Sequence, residues 1–115
     1  MIGFFGGSFD PVHFGHLKNA QQLKRELNLA DLFLMPCRKP VHKDSLKFST
    51  KQRLDMLNIA LTDFPSLNLD CREVNRESDS YSIESLKEIT LEYPNETICL
   101  IIGMDSFNQL SSWKE

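Results

Sequence analysis

Short apolar runs alternate with amphipathic stretches along this chain, and that alternation leaves few folds open. Residues 1–6, with Ile2, Phe4 and Phe5, read as a buried strand. Over residues 15–28, Leu17, Ala20, Leu23 and Leu27 recur at spacings of three and four, which is one face of a helix. Leu32-Phe33-Leu34-Met35 reads as a second strand, stopped by Pro36. Ser49 and Gln52 form a capping box that opens a second helix. Its apolar face is Leu54, Leu57, Leu61 and Phe64, and Pro65 closes it. Leu67, Leu69 and Cys71 alternate with polar neighbours and predict a third strand over residues 67–74. Ile83, Leu86, Ile89 and Tyr93 mark a third helix ended by Pro94, and residues 97–102 a fourth strand ending at Gly103.

Strands separated by helices in this way predict an α/β fold, a Rossmann-like parallel sheet with helices on both faces. Right-handed crossovers then place ligands outside the carboxyl ends of the strands, at the point where the connections diverge. The 115 residues read as a single domain. The expectation is that this domain is incomplete at its C-terminus. Residues 98–102 are apolar on both faces, as in an interior strand, yet too few residues follow for another strand and its covering helix. Ser111-Ser112-Trp113-Lys114-Glu115 reads as a helix opening. An uncovered strand edge of this kind favours self-association, so a homo-oligomer is among the expected partners.

Charge narrows the function classes. A net charge of −3 and a pI near 5.6 argue against broad binding to nucleic acid or to an anionic membrane. A phosphate ligand would have to be met by local donors. Cys37, Cys71 and Cys99 are odd in number with no close pair, which suits neither a disulfide framework nor a zinc site. No apolar run approaches the ~20 residues of a membrane span, and the first residues lack a basic segment with an apolar core. The expected compartment is the cytoplasm.

The chemistry concentrates in Gly6-Gly7-Ser8-Phe9-Asp10-Pro11-Val12-His13-Phe14-Gly15-His16. Glycines and a turn follow the first strand, and two histidines three apart meet a helix start. Backbone N–H groups, a helix N-terminus and two imidazoles around one small space suit a polyphosphate. Gly15 lets a ligand approach the backbone closely. Asp10-Pro11 reads as a turn former that aims the loop. A basic loop over residues 37–48 adds Arg38, Lys39, His42, Lys43 and Lys47. No Ser-His-Asp or Cys-His arrangement for covalent catalysis is apparent.

Residues 6–16 resemble the motif [ST]-F-D-P-x-H-x-G-H of the nucleotidyltransferase superfamily and, more narrowly, the bacterial nicotinate-nucleotide adenylyltransferase family. Residues 36–43 (P-x-x-x-P-x-H-K), Ser80-Tyr81-Ser82, and Ile101-Ile102-Gly103-Met104-Asp105-Ser106 followed by Trp113 are similar to that family in order and spacing. Val41 stands where the family commonly has proline.

The resemblance implies adenylyl transfer from ATP to nicotinate mononucleotide, giving the deamido dinucleotide and pyrophosphate, with Mg²⁺ accompanying ATP. It implies that His13 and His16 are catalytic, and that Gly7, Ser8, Phe9, His13, Gly15, His16, His42, Lys43, Gly103 and Asp105 line the ATP and phosphate site. It assigns nicotinate mononucleotide to Ser8, Phe9, Tyr81, Ser82 and Trp113, and no metal-ligating residue. Ser82 equally suits a helix N-cap, and Asp105 a cap of the helix after the fourth strand. The family's late phosphate-binding segment, I-S-[SA]-T-x-[IL]-R, has no match in this sequence. Two alternatives therefore stand beside the leading reading. One is a superfamily member with a nicotinamide mononucleotide or phosphopantetheine acceptor; the other is a catalytically weak nucleotide-binding fragment.

Overall fold

A computed structural model of the chain describes residues 1–37, 47–75 and 82–102. Strand β1 (Ile2–Gly7) lies beside β2 (Asp31–Pro36) on one side and β4 (Ile98–Ile101) on the other. The short β3 (Asn68–Leu69) pairs with β2, and the order β3-β2-β1-β4 is parallel throughout. Helices α1 (Phe14–Glu26), α2 (Thr50–Leu61) and α3 (Ser82–Glu92) connect successive strands.

The strand order dictates where the helices go. Through α1 and α2 the chain steps outward from β1 to β3, and through α3 it returns past β1 to β4. Right-handed crossovers put the two outward helices on one face and the returning helix on the other. The side chains follow. Phe5, Leu32 and Leu34 face one way and pack with Leu17 and Ala20 of α1 and Leu57 of α2. Ile2, Phe4 and Met35 face the other way and pack with Ile89 of α3. Adjacent strand residues thus serve opposite cores, which is why β1 is apolar at nearly every position. Phe4 and Phe33, partners across β1 and β2, stack with ring centroids 5.1 Å apart. Gly3 is fixed by space, since a Cβ there would lie 2.6 Å from Leu29 Cδ1 and 2.7 Å from Leu32 Cδ1. The expected parallel sheet with helices on both faces is therefore found.

Several boundaries differ from the sequence reading: α2 ends at Leu61, short of Phe64, and the ends of β1, β2 and β4 each shift by about one residue. The third strand covers Asn68–Leu69 and not residues 67–74. Asp70 ends it: its N–H still donates to the Leu34 carbonyl at 2.9 Å, but its carboxylate accepts the Arg72 N–H at 2.9 Å and turns the chain. Arg72 then pairs with Asp70 at 2.9 Å and Glu92 of α3 at 2.8 Å, so the segment is held by charge instead of a ladder. The first helix starts at Phe14, with His13 as its N-cap, and ends at Glu26. Leu27, expected on the buried face, is exposed; Asn28 adopts the left-handed region at φ 54° and delivers Leu29 to the core in its place. On α2 the expected capping box forms, Gln52 N–H donating to Ser49 Oγ at 3.1 Å and Ser49 N–H to Gln52 Oε1 at 3.0 Å. The deeply buried positions of α2 are Arg53 and Leu57, with Leu54 only half-buried.

Candidate functional site

β1 is the strand from which connections depart to one face and beside which β4 returns from the other, so its carboxyl end is the divergence point of the sheet. The loop leaving that end is tied back into the protein residue by residue. The Gly7 carbonyl accepts the Cys37 N–H at 3.0 Å, and the Ser8 carbonyl accepts Arg53 Nη1 at 2.8 Å. Phe9 is in the left-handed region at φ 46°, a conformation disfavoured for a bulky side chain, yet only 3% of its surface is exposed. Its ring stands edge-on to Phe5 at 5.7 Å and to His16 at 5.1 Å. Burial of that ring holds the backbone there. The Asp10 carboxylate accepts the N–H groups of Lys47 and Phe48, the latter at 2.8 Å, and a cis bond joins Asp10 to Pro11. Asp10 therefore does more than form a turn: it fastens the loop to the segment leading into α2.

The two histidines are organised by the start of α1. His13 N–H donates to Nδ1 of His16 at 3.0 Å, while His16 N–H donates to the His13 carbonyl at 3.0 Å. A ring nitrogen that accepts carries no proton, so the neutral His16 ring bears its hydrogen on Nε2. Burial, and then the charge of His13, push the His16 pKa below its ordinary value, which favours that neutral form. The imidazoles stack with centroids 3.7 Å apart and planes 25° apart. Gly15 leaves room for this, because a Cβ on it would lie 3.0 Å from the His13 ring. No acidic residue occupies the first turn of α1, so the positive end of the helix dipole is not offset there. Together these groups place a stacked pair of imidazoles at the positive end of a helix.

Gly7, Ser8, Phe9, His13, Gly15 and His16 are thus gathered into one loop and first turn. β4 runs out at Ile101 on the same edge of the sheet, and α3 begins at Ser82 on that edge. His42, Lys43, Tyr81, Gly103, Asp105 and Trp113 lie outside the described residues. Among the described residues, no three His, Cys, Asp or Glu side chains converge to hold a metal ion. A cleft of about 370 Å³ opens between α1 and α2, with His13 on its rim and Val12, Leu17 and Phe64 among its walls. It is largely apolar, and Asp63 is also among its lining residues.

Arg53 escaped the sequence reading. Only 1% of it is exposed, and it touches the backbone of the loop directly. The signal was present: position 53 is four before Leu57, on the buried stripe of a well-capped helix.

Residues 4–115 match the cytidylyltransferase-like family profile. A protein of Vesicomyosocius okutanii named "Probable nicotinate-nucleotide adenylyltransferase" is 62% identical over 115 residues, all of this chain and 55% of that protein. One of the same name from Psychromonas ingrahamii is 44% identical over 112 residues, covering 97% of this chain and 52% of the relative. The chain spans about half the length of the curated relatives it matches. Nicotinic acid mononucleotide adenylyltransferase of Plasmodium falciparum, solved in complex with NaAD, superposes with a TM-score of 0.82 at 23% identity, covering 99% of this chain and 57% of that one. At that identity the likeness is one of fold. No described helix is long and apolar enough to cross a membrane. With a profile match over nearly its whole length, on a sheet whose histidine corner sits at the divergence point, the chain belongs to the cytidylyltransferase-like family.

Proposed function

We propose that the protein carrying this chain transfers the adenylyl group of ATP to nicotinate mononucleotide, releasing pyrophosphate, in the synthesis of the pyridine dinucleotide. The observation that carries the reading is the His13 N–H bond to His16 Nδ1, which assigns the hydrogen of the neutral His16 ring to Nε2, at a helix N-terminus. The names of the curated relatives support the choice of acceptor.

In this reaction an oxygen of the mononucleotide phosphate attacks the α-phosphorus of ATP, and the bond to the β-phosphate breaks. The nucleophile is already an anion, so no general base is needed, and catalysis reduces to positioning and charge stabilisation. In our reading Gly7, Ser8 and Phe9 separate the two nucleotides, while His13 and His16 donate to phosphate oxygens as charge spreads toward the leaving group. His42, Lys43, Gly103 and Asp105 are proposed to complete the ATP side. Tyr81, Ser82 and Trp113 are proposed to hold the nicotinate group. Mg²⁺ is proposed to travel with the polyphosphate as part of the substrate, as a cation held largely through phosphate oxygens. We propose the cytoplasm as the compartment, since three cysteines, odd in number and with no close pair in the sequence, do not suit a disulfide framework.

The test is dinucleotide formation from ATP with nicotinate mononucleotide, nicotinamide mononucleotide and phosphopantetheine in parallel. His16→Ala is expected to lower kcat about 10²–10³-fold, the loss typical of one transition-state donor, with little change in KM for nicotinate mononucleotide. A rate with nicotinate mononucleotide no better than with the other two acceptors refutes the acceptor assignment.

A further inference from the structure

Arg53 is a charge on the buried face of a helix, where a leucine would cost less to desolvate. Its bonds explain why a guanidinium is there. Nη1 donates to the Ser8 carbonyl at 2.8 Å and the Cys37 carbonyl at 2.6 Å, and Nη2 donates to Thr50 Oγ1 at 3.2 Å. Ser8 follows β1 and Cys37 follows β2, and the last paired residues of those strands are Gly7 and Pro36. A single guanidinium nitrogen, Nη1, therefore takes over where the β1–β2 ladder ends and anchors both departing chains to α2, while Nη2 is steadied by Thr50 of the same helix.

The consequence reaches the histidines. An anion-binding loop must turn its carbonyls away from the ligand, and those of Gly7 and Ser8 are both occupied on the inside, by Cys37 N–H and Arg53. The next residue, Phe9, is held at φ 46° with its ring against His16. Two residues after Ser8, the Asp10 carboxylate binds the N–H groups of Lys47 and Phe48, so the loop is fastened at two points to residues 47–53.

We infer that Arg53 is a positioning residue: by holding the Ser8 carbonyl it sets Phe9, and through Phe9 the His16 ring, in the arrangement that receives phosphate. It touches no reacting atom. The nature of the phosphate rests on the proposed adenylyl transfer; the tether does not.

The test compares Arg53→Met and Arg53→Lys with the unaltered protein. The measurements are thermal unfolding, kcat and KM for both substrates, and an NMR titration of the His16 imidazole nitrogens. The ring of His13 is the ionisable group stacked on His16, while Phe5 and Phe9 flank it without charge, so the titration reports mainly on the burial that Phe9 supplies. Arg53→Met is expected to remain folded, to lose about 10²-fold in kcat, as for a misplacement near 1 Å, and to move the His16 titration up toward an ordinary histidine. Arg53→Lys, which keeps a donor but not the fork, is expected to recover part of both effects. Wild-type kcat and an unmoved His16 titration in folded Arg53→Met overturn the inference. So does a kcat that falls only in step with the unfolded fraction while the titration stays put. If Arg53→Met does not fold, the same comparison is made on Arg53→Lys, and an unmoved titration again overturns it. If the unaltered protein makes no dinucleotide, the adenylyl reading fails, and the His16 titration still decides the role of Arg53.

Discussion

Gly15→Ala separates stability from chemistry in this site. Gly15 is the second residue of α1, where alanine is the better helix former by up to about 1 kcal/mol. On stability alone the substitution is favourable, and it should raise the melting temperature by roughly 2–8 °C. The new methyl, however, would lie 3.0 Å from both Cε1 and Nδ1 of His13, tighter than ordinary contact, so the ring must give by a few tenths of an ångström. That ring is exposed and yields at little energetic cost, but it is stacked on His16 at 3.7 Å and its retreat disturbs the pair. If a misplacement of ~1 Å costs about 10²-fold, a retreat of about half that costs roughly tenfold. The expected variant is therefore at least as stable as the parent and about tenfold slower. Calorimetric unfolding and a continuous pyrophosphate-release assay on the same preparation measure both quantities. Undiminished kcat would show that the His13 ring position is irrelevant to the chemistry. A variant both less stable and less active would show that the methyl disrupts the turn and not the ring.

Two further outcomes follow from named contacts. Ser49→Ala removes the hydroxyl that accepts Gln52 N–H and should cost about 1 kcal/mol in urea unfolding, with the His16 titration unchanged. The depressed pKa of His16 also predicts a pH dependence of stability. The unfolded chain takes up a proton near the ordinary histidine value of about 6.5, before the folded chain does. This contribution is therefore complete above that pH and is lost as pH falls from there toward the folded pKa, so stability rises with pH across the window. Urea midpoints at pH 5.5 and 7.5 check it; His16→Asn should remove this part of the difference, and an unchanged difference would refute it.

The sheet was legible at β1, β2 and β4 because each of those strands makes a local statement that the packing then honours. Ile2 and Phe4 serve one core and Phe5 the other, and the same chain segment reads as apolar throughout whichever face is considered. The α2 capping box was legible for the same reason, since Ser49 and Gln52 bond each other and need no distant partner. The third strand was over-read because alternation in residues 67–74 cannot reveal that the Asp70 carboxylate captures the Arg72 N–H. Leu27 falls on the expected face only if the helical period runs past Glu26, the last residue of α1, into the cap ahead of left-handed Asn28. In both cases a side-chain-to-backbone or backbone choice outweighed the apolar pattern.

The histidine corner shows the other side of this. Its residue types announced an anion site, but what makes them a site is a set of local exceptions: a phenylalanine at positive φ, a charged side chain in a core position, and a carboxylate spent on backbone N–H groups. Each is unfavourable or neutral by itself, and each is held by a partner from another element: Phe9 by Phe5, Ser8 by Arg53, Asp10 by Lys47 and Phe48. Local rules are expected to fail where structure serves a ligand. The partners holding Ser8, Phe9 and Asp10 serve consecutive residues, and the Phe9 ring they fix in place packs edge-on against His16. A loop that merely connected β1 to α1 would have no physical reason to accumulate them.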